Sequence, residues 1–211
     1  VHEVVRKYLT SPEFEHRDLT RPLSRTEMGL ARGPGFDIFA SRQDLAVGLP
    51  LLEGHAHEPA VQACFQRLLR PGMSVIDVGA NIGFFSLLSA HLVGPTGRVL
   101  AIEPNQDNLR LLEASRRHNG FAHLRPLLAA AGAGPGVLAL FTDFSNGVAL
   151  PIPDSPREVL ASDAVASVLT LDELWPATQP LHLLKIDVEG AEALVLEGAA
   201  RLLAAQRPAI I

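Results

Sequence analysis

Four residues at fixed spacing, Asp77, Gly79, Asn81 and Gly83, form the run D-x-G-x-N-x-G at the end of an apolar stretch, residues 75–78. A carboxylate at a strand end, followed by glycines in a turn, can hold a nucleotide: the acid orients an ammonium group and the glycines admit close backbone approach. Glu103-Pro104 closes the next apolar run, where a carboxylate can accept hydrogen bonds from both hydroxyls of a ribose. Further along, Lys185, Asp187 and Glu189 alternate with Ile186 and Val188, which places three charged groups on one side of a strand. Charges so placed are costly unless paired or functional. They form the candidate catalytic set: Asp187 to touch cofactor or acceptor, Glu189 as a general base or a ligand of acceptor hydroxyls, Lys185 as the ion-pair partner that holds them. Glu189 reads equally well as an acceptor of helix-start N–H groups. Asp187 and Glu189 could also bind a divalent cation, but two carboxylates without further identifiable ligands are thin evidence for one.

The dinucleotide fingerprint requires three glycines, the second for pyrophosphate approach and the third for tight helix packing. Counted from Gly79, those second and third places hold Asn81 and Phe84. Both side chains oppose that reading, which leaves a dinucleotide oxidoreductase as the alternative. S-adenosylmethionine has no pyrophosphate to accommodate and suits the turn better. A catalytically silent binding protein of the same fold is a third possibility.

These residues need elements to carry them. The sequence predicts strands at 74–78, 99–102, 124–128, 137–141, 181–188 and from 208, with a shorter one at 36–41. Helices are predicted around 59–69, at 84–92, 105–118 and 191–205, and a short one near Leu171, where Thr170 and Glu173 have capping-box spacing. Strands alternating with helices imply an α/β fold, a mostly parallel sheet covered on both faces. Ligands in such sheets sit outside the carboxyl ends of the strands, near the switch point. Residues 1–52 show no sustained period and read as an N-terminal appendage, with the main domain at 53–211.

Composition narrows the class. The chain has 211 residues, 47% hydrophobic and 19% charged, with a formal charge of −5. It is long enough to bury a core and offers no basic footprint for nucleic acid. Cys64 is the only cysteine, which fits a reducing cytoplasm. No window reads as a membrane span and the start has no signal-peptide pattern. Among the basic residues only Lys7 and Lys185 are lysines, and the wealth of Ala, Leu, Gly and Pro points to a GC-rich bacterial source.

Three stretches, "LRPGMSVIDVGANIGFFSLLSA", "GRVLAIEPNQDNLRLL" and "LLKIDVEGAEALVLEGAARLL", resemble the FkbM-type family of S-adenosylmethionine-dependent methyltransferases over residues 58–211. The run K-I-D-V-E-G-A-E at 185–192 is the most telling. The resemblance implies a class I methyltransferase fold, Rossmann-like, and O-methylation of a small-molecule acceptor, a natural product or sugar. It matches Asp77, Gly79, Asn81, Gly83 and Glu103 to cofactor-binding positions, with Ala80, Pro104 and Asp187 beside them. The loop after Leu128, beginning at Ala129, would lie against adenine. Ala129, Ala130 and Ala131 offer no side-chain acceptor for the adenine amino group, so that contact would use backbone. Glu58 matches an acidic residue that the family often has before this helix, in a position to close the cofactor site. The family's sheet normally has two strands beyond the one starting at residue 208, so the chain is expected to be cut there.

Outside these motifs, residues 143–156 are polar, rich in Gly and Pro and long for a connection; Ser145 and Asn146 are candidate acceptor contacts there. His55 and His57 form an H-x-H pair that can bind metal or supply a base, although loop histidines usually do neither. Trp175 is expected to pack.

Overall fold

The computed structural model describes residues 27–143, 146–152 and 155–211. Ser145, a candidate acceptor contact, lies outside the described residues. A hairpin of β1 (Met28–Arg32) and β2 (Asp37–Ser41) precedes α1 (Gly48–Leu52) and α2 (Pro59–Leu68). Then come β3 (Ser74–Val78), α3 (Phe84–Val93), β4 (Arg98–Glu103), α4 (Gln106–His118) and β5 (Leu124–Leu128). Four strands follow in a second sheet with two short helices: β6 (Ala130–Ala131), β7 (Gly136–Asp143), β8 (Asn146–Pro151), α5 (Pro156–Ala161), β9 (Ala164–Leu169) and α6 (Leu171–Leu174). The chain returns through β10 (Leu183–Ile186), α7 (Glu192–Glu197), α8 (Ala200–Gln206) and β11 (Ala209–Ile210).

The main sheet has the order β11-β10-β3-β4-β5, every neighbouring pair parallel. From β3 the chain moves outward through β4 and β5, then crosses back to place β10 on the other side of β3. The switch point is therefore between β3 and β10. All five residues of β3 are buried, as expected of a central parallel strand covered on both faces. On one face Val75, Val99, Ala101 and Leu183 pack under α3, α2 and the hairpin. On the other, Ile76, Val78, Ile102 and Leu184 pack with Val195, Leu202 and Trp175. Trp175 is buried in that second core and donates its Nε1–H to the Gln179 carbonyl.

Local chemistry explains the helix ends. Asn105 caps α4 by accepting from the N–H of Asp107 at 2.9 Å, and the Thr170/Glu173 capping box starts α6. α3 is buried on nearly every side, as its apolar composition requires. The hairpin is fastened to α4: the N–H of Phe39 donates to Ser115 Oγ, and that of Asp37 to Asn119 Oδ1.

Several sequence expectations differ from the structure. The helix expected over 191–205 is broken at Gly198, a position that must be glycine because a side chain there would meet the Gly132 carbonyl at 1.9 Å. Asp172 caps the second piece from afar, accepting from the N–H groups of Arg201 and Leu202. Where a long polar loop was expected over 143–156, β8 pairs antiparallel with β7. The short β6 and β9 were not anticipated, and neither was β1. The strand expected over 181–188 stops at Ile186.

Candidate functional site

The glycine turn after β3 and the segment after β10 meet at the switch point. Gly79 has φ +74°, and a Cβ there would lie 1.9 Å from the Asp187 carbonyl oxygen. The N–H of Asp187 donates to the Val78 carbonyl at 3.0 Å, and that of Gly79 to the Ile102 carbonyl at 3.0 Å. Gly83, with φ +97°, is pressed against Leu112, whose Cδ1 would be 2.2 Å from an added Cβ. Both glycines thus have a packing reason, and Gly79 also lines the cavity above it.

Above this junction lies a cavity of about 420 Å³, within the size range of small-molecule and cofactor sites. Gly79 and Asn81 from the turn form its floor, Glu103, Pro104 and Asn105 one side, and Ala129 to Ala131 another. Leu138, Leu140 and Val168 of the second sheet supply an apolar wall, and Asp187, Val188 and Glu189 the remaining side. The described lining carries three carboxylates, Glu103, Asp187 and Glu189, and no lysine, arginine or histidine. The apolar wall was not legible in the sequence, since it depends on how β7 and β9 pair.

Glu103 is the best-held of these carboxylates. Its Oε2 accepts from the N–H of Asn81 at 2.8 Å and its Oε1 from that of Asn105 at 2.9 Å, so it ties the two loops together. Burial dominates its titration and pushes its pKa from 4.5 up to about 7; hydrogen bonds from Asn105, Asn81 and Asn108 oppose the shift, and nearby Asp77 adds to it.

Beneath the cavity is a buried ion cluster. Asp77 and Lys185 are directly opposite each other in the β3–β10 ladder. Lys185 Nζ lies 3.4 Å from Asp77 Oδ1 and 3.3 Å from Asp187 Oδ2, and 5.4 Å above the Phe85 ring. Asp77 is fully buried; its Oδ2 accepts from Ser86 Oγ at 2.6 Å, while Oδ1 has no hydrogen bond beyond its proximity to Lys185. Burial alone would lower the Lys185 pKa, but Asp77 and Asp187 outweigh it and hold the ammonium above its ordinary value. Ser86, one of two serines in the otherwise apolar run 84–90, was a polar signal that sequence reasoning passed over.

Beyond Ile186 the strand alternation fails. Glu189 has φ +52°, so its side chain does not continue the Lys185–Asp187 series. Burial first, then Asp187 and Glu192, raise its pKa. Glu58, Asn81 and Glu189 are three of the four non-glycine residues with positive φ among the described residues. Such conformations are uncommon outside glycine and concentrate at functional loops. Asn81 suits one, its Oδ1 accepting from the N–H of Ile82 at 2.6 Å.

The structure thus brings Gly79, Asn81, Glu103, Pro104, Ala129, Asp187 and Glu189 together around one cavity. Asp77 and Lys185 lie beneath it, and Ala80, Gly83 and Glu58 stand outside the described lining. Asn146 is the first residue of β8, paired with Asp143. His55 is exposed, whereas His57 leans on Phe84 and Phe85 with ring centroids 4.8 and 5.6 Å away. Among the described residues, no three or more His, Cys, Asp or Glu are placed to hold a metal ion, and no helix is long and apolar enough to cross a membrane.

The profile of the Methyltransferase FkbM domain matches residues 77–211, which span both the glycine turn and the segment after β10. The chain belongs to the FkbM methyltransferase family. S-adenosylmethionine is the cofactor expected of this family. A curated relative is the probable cobalt-precorrin-6B C(15)-methyltransferase (decarboxylating) of Pyrobaculum calidifontis, 27% identical over 161 residues, covering 72% of this chain and 80% of that one. Solved structures similar to this FkbM domain include a methyltransferase FkbM from Methylobacillus flagellatus, with TM-score 0.48 and 20% identity over 71% of this chain. The chain spans 38% of the length of that protein. An rRNA methylase from Streptococcus thermophilus is similar with TM-score 0.42 and 13% identity, covering 69% of this chain and 62% of that one.

Proposed function

We propose that this FkbM domain binds S-adenosylmethionine in the switch-point cavity and methylates a hydroxyl of a small-molecule acceptor, a natural product or sugar. The observation that carries the reading is the chemistry of the described lining: three carboxyl groups, of which Asp187 is paired with Lys185, and no lysine, arginine or histidine among the lining residues. S-adenosylmethionine has a net positive charge, through its sulfonium and ammonium groups, and such a lining favours it. NAD would bring a doubly negative pyrophosphate to the same acidic walls, and a nucleic-acid acceptor would bring many phosphates.

When bound, the cofactor supplies a methyl group on a positively charged sulfur. The chain's own residues have the remaining work. Glu103 accepts hydrogen bonds from the ribose hydroxyls, as a strand-end carboxylate fixed by two backbone N–H groups. The backbone around Ala129 faces adenine. Asp77 and Lys185 hold Asp187 in place from below. Asp187 and Glu189 are the groups available to orient the acceptor hydroxyl and take its proton, a contribution of about a hundredfold to ten-thousandfold in rate. Alignment and exclusion of water supply the rest. The bacterial and cytoplasmic setting read from composition belongs to the same proposal.

The test is calorimetric titration with S-adenosylhomocysteine and, in parallel, NAD, followed by a hydroxyl-acceptor screen that detects released S-adenosylhomocysteine. Saturable binding of the homocysteine adduct without NAD binding is the expected result. Tighter NAD binding would overturn the cofactor reading, and transfer confined to nitrogen, carbon or sulfur acceptors would overturn O-methylation.

A further inference from the structure

His57 lies at the entry to α2, next to its N-cap residue Glu58. Its side chain is 20% exposed, and Nε2 lies 3.4 Å from Glu58 Oε1. The ring rests on Phe84, the first residue of α3, at 4.8 Å between centroids, and on Phe85 at 5.6 Å. Phe85 in turn lies beneath Lys185 Nζ, and Lys185 pairs with Asp77 and Asp187. Gln62 Nε2 donates to the His57 carbonyl and fixes its backbone. His57 stands outside the described lining of the cavity, packed against the first two residues of α3, one aromatic ring away from Lys185.

The charged groups acting on this imidazole are Glu58, Lys185, Asp187 and Asp44. Burial is the largest influence and, with Lys185, holds its pKa below 6.5 against the three carboxylates. The shift favours the neutral imidazole in the free protein. A cofactor whose adenosine lies along Glu103 and Ala129 directs its amino-acid end toward the Gly79 turn. That end carries both an ammonium and a carboxylate. Carboxylates are plentiful around the turn, whereas cations are scarce: Lys185 is already shared between two aspartates.

On the reading that the cavity takes S-adenosylmethionine, we propose that His57 is a clamp for the cofactor's α-carboxylate and gains a proton when that carboxylate arrives. The imidazolium pairs with the incoming anion on one side and with Glu58 on the other, so the half-buried charge is formed only when its partner is present. This makes His57 a binding residue that distinguishes the amino-acid end of the cofactor from adenosine alone.

The test compares S-adenosylhomocysteine with methylthioadenosine, which has the adenosine and sulfur but no amino-acid end. Titrations at pH 7 in buffers of different ionisation enthalpy count the protons taken up. The homocysteine adduct should take up measurably more protons than methylthioadenosine, a difference of at most one per site. His57→Gln should erase the difference and weaken adduct binding about tenfold or more, with methylthioadenosine affinity kept. In wild-type protein, NMR titration of the His57 ring should move its pKa from below 6.5 to above 7 on saturation with the adduct. Equal proton counts for two ligands that both bind, or an unmoved ring pKa, would overturn the clamp alone. Binding of neither ligand would overturn the cofactor reading and the clamp with it.

Discussion

Glu103 and Asn81 are joined across the mouth of the sheet, the carboxylate Oε2 accepting the Asn81 N–H at 2.8 Å. Since Oε1 does the same for Asn105, the residue proposed to hold the ribose also sets the positions of the loops around it. Glu103→Gln keeps the volume and removes the charge. Hydrogen bonds to a charged group are worth about 1.5–3 kcal/mol, so S-adenosylhomocysteine affinity should fall about 10- to 100-fold. Thermal stability at pH 8 should change little, since removal of the buried charge offsets the amide NH2 left facing one of the two loop N–H groups. Calorimetry and a thermal melt on one variant check both halves.

The same carboxylate gives a pH dependence. Its pKa in the folded protein, about 7, is above the 4.5 of an unconstrained glutamate, chiefly because of burial. The stabilising contribution is therefore full below pH 4.5 and is lost as the pH rises toward 7, a change on the order of 3 kcal/mol. Ribose hydroxyls need the ionised form, so methylthioadenosine affinity should fall below pH 7 by about tenfold per unit. A flat affinity between pH 5.5 and 7.5 would count against Glu103 as the ribose ligand.

Lys185 balances a fully buried aspartate. Lys185→Met leaves Asp77 buried without its cation, and breaking a buried pair typically costs about 3–5 kcal/mol. Asp77→Asn in the same chain should recover part of that loss. Asp187 is largely exposed, with 59% of its side-chain surface accessible, and its separate removal should be nearly neutral for stability. Denaturant unfolding of the two single variants and the double variant measures the coupling.

Two glycines with positive φ test what positions the turn. Gly79→Ala must fit a methyl group 1.9 Å from the Asp187 carbonyl, whereas Gly190, with φ +103°, has nothing within 4 Å of its added Cβ. Gly190→Ala should cost about 1 kcal/mol from backbone conformation alone. Gly79→Ala should cost several times as much and abolish S-adenosylhomocysteine binding by forcing the two strand ends apart. Equal stability losses would mean that the close contact is not what requires glycine at 79.

The parts of the fold that were legible in sequence are those in which period and end signals agree. β3, α3, β4 and α4 follow from apolar runs that stop at Gly79, Gly94 and the Asn105 cap, and the capping box at Thr170 marks α6 without ambiguity. The break at Gly198 was hidden because a glycine inside an apolar helical pattern reads as tolerated, and its need arises from Gly132, 66 positions earlier in the chain but adjacent in space. β8 and β9 were missed for a similar reason: short strands are stabilised by partners, and the prolines at the end of β8 read as loop. At the site, the types Asp, Gly, Asn and Glu were readable, but not which would line the cavity. Asp77 looks like a ligand-facing residue in sequence, and only the β3–β10 register reveals that Lys185 lies opposite it.

The return of the chain to the switch point has a further consequence. Ser74 and His182, 108 positions apart, are hydrogen bonded at the base of the two strands whose other ends carry the site. Docking of β10 must close a very long loop and belongs among the slow events of folding. Until it docks, the glycine turn has no Asp187 against it and Asp77 has no counterion. A nascent or partly folded chain therefore has little affinity for the nucleoside, and ligand in the surrounding solution selectively retains molecules that have completed assembly.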